Sequence, residues 1–262
     1  MRRVPFEVVC EIEPPTKPDL VHARHQIGVL SPVASAFLIP DNHLGRATVS
    51  SIAVAHEVQA MGGRSIACVN GRDRNVLGLQ RDLLTAAAYG VDQFLFVAGD
   101  RTPDGAGGIG VRRMVDEARA FSGAPVFAEC GPIRLGVVSR LRPLISWKRD
   151  ADFVFAQVSY DVDALARWRD ALTYPGPVYP GVMVLASPGH AAKVAADIPQ
   201  IAIPDMVHDR LAREPRAGVD LACELVCDLR DLGGFAGVHL VPVGRYREVA
   251  AHLERDGFRT HA

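Results

Sequence analysis

The sequence predicts an α/β fold of the (β/α)8 or TIM barrel class, formed by a single domain over residues 1–262 with extra helices before the last strand. Three observations favour this fold. Apolar runs of strand length alternate with stretches of helical periodicity eight times, the chain has the roughly 250-residue length of such barrels, and no linker rich in Pro, Gly or Ser divides it.

The elements follow in order from the start of the chain. Short runs rich in β-branched and aromatic residues predict eight strands, at 7–12, 33–39, 65–69, 93–98, 125–129, 152–157, 178–184 and 236–241. Apolar residues at helical spacing predict a helix after each strand, at 18–28, 46–61, 74–89, 109–121, 132–145, 161–173, 188–196 and 244–256. A further helical stretch, roughly 204–232, precedes the last strand.

Composition narrows the possible partners. The net charge of −1 argues against nucleic acid or an anionic membrane as the main partner, and no apolar run approaches the ~20 residues of a membrane span. The first residues lack the apolar segment of a signal peptide, so we expect a cytoplasmic protein. The five cysteines include no CxxC pair and are expected to be structural thiols rather than metal ligands.

Polar residues concentrate just after the predicted strands. The third strand is followed by Asn70, Arg72 and Asp73, the fourth by Asp100, and Gln157 ends the sixth. Parallel α/β folds bind ligands at the carboxyl ends of their strands, where an amide or carboxylate can read a heterocycle. The alternative is that Asp100 or Gln157 caps the following helix.

Two further groups suggest chemistry at this end of the barrel. Glu11 and Glu13 alternate across the first strand, so one of them should face the barrel interior or its mouth. A carboxyl group among apolar side chains is disfavoured in its ionised form, which suits a proton donor, although a salt-bridged strand-end glutamate is an equal alternative. His190 begins a helix after the seventh strand, either as a ligand contact or as an exposed first-turn histidine.

Several segments carry a family likeness in the same order along the chain. These are EIEPP at the first strand, PDNHLGR after the second, GRDRN after the third, VAGD at the fourth, FAQVSYD at the sixth and YPGVMV at the seventh. Together they resemble the methylenetetrahydrofolate reductases, including the reductase half of fused homocysteine methyltransferase/reductase proteins. The resemblance covers most of the chain and implies a TIM barrel.

The resemblance also implies a reaction. It is the reduction of 5,10-methylenetetrahydrofolate to 5-methyltetrahydrofolate, with hydride supplied by NADH or NADPH through FAD. By motif, Glu11 is similar to the family acid that protonates the folate nitrogen N10, and Asp100 to the aspartate that contacts the pterin. Gln157 and His190 correspond to substrate-binding positions. The cofactor-binding positions implied are Asn70, Arg72, Asp73 and Asp100.

Some positions depart from the family pattern. Cys68 stands where many members have histidine, Ala98 where they have arginine, and Pro143 to Ser146 where a basic run precedes the sixth strand. Several of these groups hold the flavin phosphates in typical members, and phosphates need cations or amides. We therefore expect FAD to bind weakly or not at all, with hydride passing directly from the nicotinamide to the folate.

Two other functions remain open on the sequence. One is a folate-binding, partner-dependent subunit that kept the barrel and lost hydride chemistry, as a homo-oligomer or beside another chain. The other is a TIM-barrel lyase or aldolase, which needs a Schiff-base lysine or a metal. The three lysines, Lys17, Lys148 and Lys193, lie outside the predicted strands, which makes this last function the weakest.

Overall fold

Eight parallel strands close into a barrel in chain order. The computed structural model describes residues 5–42, 45–99, 108–198, 200–201, 203–214 and 216–259. Its strands are β1 (Glu7–Glu11), β2 (Ala36–Ile39), β3 (Ser65–Asn70), β4 (Gln93–Val97), β5 (Arg134–Ser139), β6 (Phe153–Val158), β7 (Val178–Met183) and β8 (Gly237–Val241). The predicted (β/α)8 barrel is confirmed, because β8 pairs with β1 as well as with β7.

Helices surround the barrel. They are α1 (Val21–Leu30), α2 (Ser51–Ala60), α3 (Val76–Ala88), α4 (Val111–Ser122), α5 (Val162–Asp170), α6 (Pro188–Asp197), α7 (Asp205–Arg213), α8 (Gly218–Leu232) and α9 (Tyr246–Arg255). The predicted extra stretch before the last strand is two helices, of which α8 packs on β7 and β8 while α7 packs on α6. None of the described helices is long and apolar enough to span a bilayer.

Side chains alternate between two layers along each strand. On β1, Val8 and Cys10 pack outward against the helices, whereas Val9 faces inward. The inward residues form one apolar cluster, made of Val9, Ala36, Leu38, Ile66, Cys68, Leu95, Phe153, Phe155 and Tyr179. Since these side chains fill the middle of the barrel, it has a packed core rather than a pore.

The fifth strand is not where the sequence pattern placed it. The predicted strand at 125–129 is a 3-10 helix, Pro125–Phe127, and β5 lies at Arg134–Ser139, inside the predicted helix 132–145. Among the described residues, β5 and β6 are joined by an irregular segment and a 3-10 helix at Ser146–Asp150, with no α-helix between them. Cys130, expected at the end of a strand, is therefore exposed.

The position of the fifth strand follows from which apolar side chains are buried against neighbouring elements. In the run from 125 to 129, only Phe127 is buried, with its ring edge-on to Phe121 of α4 at 5.2 Å, while Val126 stays 62% exposed. In β5, Gly136 pairs with Phe153 of β6, and a Cβ at Gly136 would lie 1.9 Å from the Phe153 ring. The glycine leaves the space that this ring fills, so it marks a tightly packed strand position rather than a weak helix position.

Replacing Gly136 distinguishes these two assignments. In a helix, Gly136→Ala would stabilise the chain by about 1 kcal/mol. Because Gly136 lies in β5 against the Phe153 ring, we expect the free energy of unfolding to fall by about 1–3 kcal/mol. Urea denaturation measures the change. Gly131→Ala is the matched control, since no atom lies within 4 Å of a Cβ at Gly131, and an increase in stability for Gly136→Ala would contradict the assignment.

Candidate functional site

A cavity of about 750 Å³ opens at the carboxyl ends of the strands. Its inner wall is mainly apolar, with Leu38, Leu95 and Phe155 from three strands. Polar side chains share the lining. The basic ones are those of Arg140, Arg142 and Lys148, and the others are those of Glu11, Asp41, Ser139, Gln157 and His239. A mostly apolar cavity with a few convergent polar groups is the usual form of a small-molecule site.

Glu11 faces this cavity from the end of β1. Its Oε2 lies 3.2 Å from Nε2 of His239 on β8, and the two side chains are 23% and 14% exposed. The ring of His239 stands edge-on to Phe155, with centroids 5.2 Å apart. The acid predicted for the first strand is therefore inside the barrel mouth, beside a histidine that the sequence analysis missed.

Glu13 has the opposite placement. It is exposed, and its main-chain N–H and C=O form hydrogen bonds with the side chain of Gln26 on α1. Of the two glutamates, Glu11 is therefore the one that faces the barrel mouth.

Gln157 lies at an irregularity in β6. The pairing of β6 with β7 shifts register between Ala156 and Val158, which is the signature of a β-bulge. The bulge presents the Gln157 side chain to the cavity, while its Oε1 accepts a hydrogen bond from the Val158 N–H at 3.1 Å. The NH2 group of this amide can therefore donate to a ligand.

Cys68, the fourth residue of β3, lies in the same wall. Cys68 is 6% exposed, and burial, followed by the nearby carboxylates of Glu11 and Asp41, raises the pKa of its thiol well above the usual value. The thiol is therefore neutral at physiological pH and lines the cavity as an apolar group rather than as a nucleophile.

The polar loop after β3 forms an internal network around Asp41. The buried Asn70 donates to Asp41 Oδ2 from its main-chain N at 2.9 Å and from its Nδ2 at 2.7 Å. Arg74 adds a bond from Nη1 to the same oxygen at 2.5 Å and one from Nε to Asp82 at 2.8 Å. This network fixes the end of β3 against the segment after β2, whose Asp41 borders the cavity.

Arg72 and Asp73 pair with each other at the edge of this network. The guanidinium of Arg72 lies 2.6 Å from each oxygen of the Asp73 carboxylate. That bond lowers the pKa of Asp73 to about 2, against the effect of partial burial, and Asn42 Nδ2 supports it with a bond of 3.1 Å. Asn70, Arg72 and Asp73 are outside the cavity lining, so their predicted contacts with a cofactor stay predictions.

Two other predicted positions stand apart from the described cavity. Nδ1 of His190 accepts a hydrogen bond from the Ala186 N–H at 3.2 Å, and burial lowers the pKa of the imidazole, so this ring is neutral at physiological pH. His190 is not among the described residues that line the cavity. Asp100, predicted to contact both substrate and cofactor, lies outside the described residues.

Basic side chains reach the rim from the segment between β5 and β6. Arg140 and Arg142 are exposed on this rim, and neither forms an ion pair with an acid in the described part of the chain. Lys148 is half-buried, and its Nζ donates to the Val138 carbonyl at 2.5 Å. Burial and the charge of Arg140 lower the pKa of Lys148. The family resemblance indicated that a basic run is missing before β6, but the irregular connection between β5 and β6 supplies other cations to the site.

Asn70 provides a test of the network. Asn70→Ala removes the two bonds from Nδ2 to Asp41 and the bond that Asn70 Oδ1 accepts from the Asp73 N–H. It leaves the buried carboxylate of Asp41 with fewer donors, so we expect a loss of about 2–3 kcal/mol in the free energy of unfolding. The matched control is Asn75→Ala in the same loop, where one bond from the Gly78 N–H caps α3. Loss of that cap costs about 1 kcal/mol. Equal urea midpoints for the two variants would contradict the structural role assigned to Asn70.

Comparison with known proteins gives a family match over part of the chain. A family model described as methylenetetrahydrofolate reductase matches residues 146–257, which include Gln157, His190 and His239 but not Glu11. No curated protein sequence matches the chain.

Solved structures resemble the chain along nearly its whole length. A protein from Clostridium thermocellum that binds two copies of 5-methyl-5,6,7,8-tetrahydrofolic acid is 16% identical, with a TM-score of 0.64 over 96% of this chain and 94% of that one. The EDTA monooxygenase of Chelativorans sp. BNC1 is 9% identical, with a TM-score of 0.56 over 98% and 95% of the two chains. A riboflavin lyase solved with modified FMN and riboflavin is 8% identical, with a TM-score of 0.56 over 97% and 92%.

At these identities the similarity to solved structures establishes the fold alone. The evidence for a relationship in sequence is the family model. Over residues 146–257, which contain the motifs FAQVSYD and YPGVMV, the resemblance to the methylenetetrahydrofolate reductases is confirmed, and the closed (β/α)8 barrel is the fold that the resemblance implies.

Proposed function

We propose that this chain is an oxidoreductase that reduces 5,10-methylenetetrahydrofolate to 5-methyltetrahydrofolate with hydride from NADH or NADPH, passed through FAD or directly. The observation that carries the proposal is the position of Glu11. Its carboxyl group opens into a cavity of about 750 Å³, next to apolar walls and the amide of Gln157. The folate-binding relative from Clostridium thermocellum supports a folate as the ligand.

The cavity has the surfaces that a reduced folate needs. The side chains of Leu38, Leu95 and Phe155 offer apolar area to the ring systems of a pterin and a p-aminobenzoyl group. The Gln157 amide can hydrogen-bond to the polar edge of the pterin. We place the pterin against these side chains, with Asp100 and His190 as further proposed substrate contacts.

Glu11 is the group we assign to the acid step. Protonation of N10 breaks its bond to the bridging methylene carbon and leaves that carbon as an iminium on N5. Hydride addition to the same carbon gives the N5-methyl group, so one proton and one hydride are consumed in each turnover. A carboxyl group inside the barrel mouth can deliver that proton where bulk water has limited access.

The rim suits the anionic part of a second ligand. Arg140, Arg142 and Lys148 bring three cations to one side of the cavity, and such groups bind phosphates and carboxylates. They would hold the diphosphate of NAD(P)H or of FAD, or the glutamate carboxylates of the folate, and Asn70, Arg72, Asp73 and Asp100 are proposed as further cofactor contacts. FAD, when bound, would supply a relay for the hydride, and the riboflavin lyase neighbour holds a flavin on a similar barrel.

A folate-binding subunit without its own turnover is the second candidate. It is favoured by one observation, that polar side chains expected to hold a cofactor are bonded within the protein, Asn70 to Asp41 and Arg72 to Asp73. A lyase or aldolase stays weaker. Lys148 does line the cavity, but its amine donates to the Val138 carbonyl.

The acid role predicts a clear difference between two neighbouring glutamates. Glu11→Gln should lower kcat by about 10²-fold or more, because the amide cannot give up a proton to N10. Folate affinity should be nearly unchanged, since the amide keeps the size of the side chain. The assay is folate-dependent oxidation of NADH or NADPH, with folate binding measured by titration calorimetry.

Glu13→Gln is the control for this pair. It makes the same chemical change two residues away on the exposed side of the strand end. Near wild-type kcat is expected there. Near wild-type kcat in Glu11→Gln would refute the acid role, and a loss of folate binding in that variant would assign Glu11 to binding instead.

Substitution of the rim arginines tests which ligand places its anionic group at the rim of the cavity. The double variant Arg140→Gln with Arg142→Gln should raise KM about tenfold for the ligand whose anionic group they contact, with little change in kcat. If the donor dinucleotide is that ligand, only its KM rises; if the folate is, only the folate KM rises.

A double control, Arg167→Gln with Arg216→Gln, removes the same charge from exposed positions outside the cavity lining. This control distinguishes the effect on KM of a direct contact with the ligand from the effect of a lower net positive charge on the protein, which salt would screen. Equal effects of the two double variants on both KM values would contradict an anion site at the rim.

A further inference from the structure

His239 carries a buried nitrogen that lacks a hydrogen bond. Its Nε2 is inaccessible to solvent and has no hydrogen-bond partner among the described residues, a condition shared only with His56 Nδ1 and Ser65 Oγ in that part of the chain. Of these three residues, only His239 lines the cavity. The nearest acid is Glu11, whose Oε2 is 3.2 Å away but not in hydrogen-bond geometry.

Packing alone does not explain a histidine at this position. Its strand neighbours are Val9 on β1 and Gly181 on β7, and its ring is edge-on to Phe155. An apolar side chain would fill this space without leaving a buried polar nitrogen unpaired, which lowers stability. The unpaired nitrogen lowers the stability of the fold and lies beside the carboxyl group assigned to the acid step. We therefore expect His239 to have a role in the reaction.

The ring is also held in place from below. Phe155 stacks on Tyr179 at 5.2 Å, and the Tyr179 hydroxyl donates to Glu7 Oε2 at 2.6 Å. Glu7 in turn pairs with Arg64 at 2.6 Å. These contacts fix the position of the Phe155 ring, against which the imidazole of His239 packs at an interplanar angle of 81°.

We propose that His239 is a positioning residue whose Nε2, 3.2 Å from the Glu11 carboxyl group, forms a hydrogen bond with it once folate fills the cavity and then exchanges a proton with it. The inference rests on the proposed function. After Glu11 gives its proton to N10, the imidazolium form of His239 donates its Nε2 proton to the Glu11 carboxylate, and the neutral imidazole left behind is reprotonated by a hydronium ion from solvent. One proton enters for each folate reduced, and His239 and Glu11 both end the turnover as they began it, with no electrons moved between them.

Other titratable groups face the same cavity and contribute to any pH profile of the pair. They are Asp41 after β2, Cys68 on β3, and Arg140, Arg142 and Lys148 between β5 and β6. The described lining residues of β4, β6 and β7 add no titratable group, and the Tyr179 hydroxyl of β7 is bonded to Glu7 on the far side of Phe155. Glu11 is therefore the only acid within 4 Å of His239 in the described part of the chain.

The activity test uses His239→Gln, which keeps an amide N–H near the position of Nε2 but cannot exchange a proton. We expect kcat to fall about tenfold to a hundredfold, with the folate KM changed by less than about twofold, and the pH dependence of kcat to lose one titrating group. Adding this change to Glu11→Gln should cause no further loss, because both act on one proton. An unchanged kcat and pH profile, or a loss confined to KM, would overturn the proposal.

A second measurement does not depend on turnover. The Nε2 signal of His239 in nitrogen NMR should move at fixed pH in Glu11→Gln and stay in place in Glu13→Gln. A wild-type chain without reductase activity but with this shift would refute the proposed function and retain the pairing. An Nε2 signal that ignores Glu11→Gln would overturn the pairing even in an active enzyme.

Discussion

The pairing of β8 with β1 is the constraint on which the site depends. It closes the barrel and sets Val9 beside His239 in register. Because side chains alternate along a strand, Glu11 lies on the same inner face as Val9, two positions nearer the carboxyl end. The acid from the start of the chain and the histidine from its end therefore meet at 3.2 Å only in the closed barrel.

The secondary structure could be predicted from the sequence wherever the spacing of apolar residues fitted a strand or a helix but not both. Strands such as β3 are short apolar runs buried on both faces, and the helices that follow carry one apolar stripe, so their periods differ clearly. The segment from Ile133 to Ile145 satisfies both periods. The neighbouring strand determines that this segment is a strand, because Gly136 faces the Phe153 ring of β6. That contact depends on tertiary structure, which no local pattern contains.

The site was predictable in the same uneven way. Position at a strand end was enough to single out Glu11 and Gln157, and both line the cavity. His239 could have been found as a polar residue within the apolar run AGVHLV, at the inward positions shared with Gly237 and Val241. The rim arginines could not, because they depend on an irregular connection that the sequence analysis assigned to a helix. Asn70 lies at a strand end too, but its donors turn toward Asp41, which the sequence cannot indicate.

Product analysis of the purified wild-type chain tests the proposed reaction most directly. It would be mixed with 5,10-methylenetetrahydrofolate and NADH or NADPH, each with and without FAD, after an absorption spectrum has shown whether flavin copurifies. We expect 5-methyltetrahydrofolate in amounts equal to the nicotinamide oxidised, and the mixture without flavin tells whether hydride passes directly. Tight folate binding with no product in any mixture would contradict the proposed reaction and would leave a binding subunit on a reductase barrel.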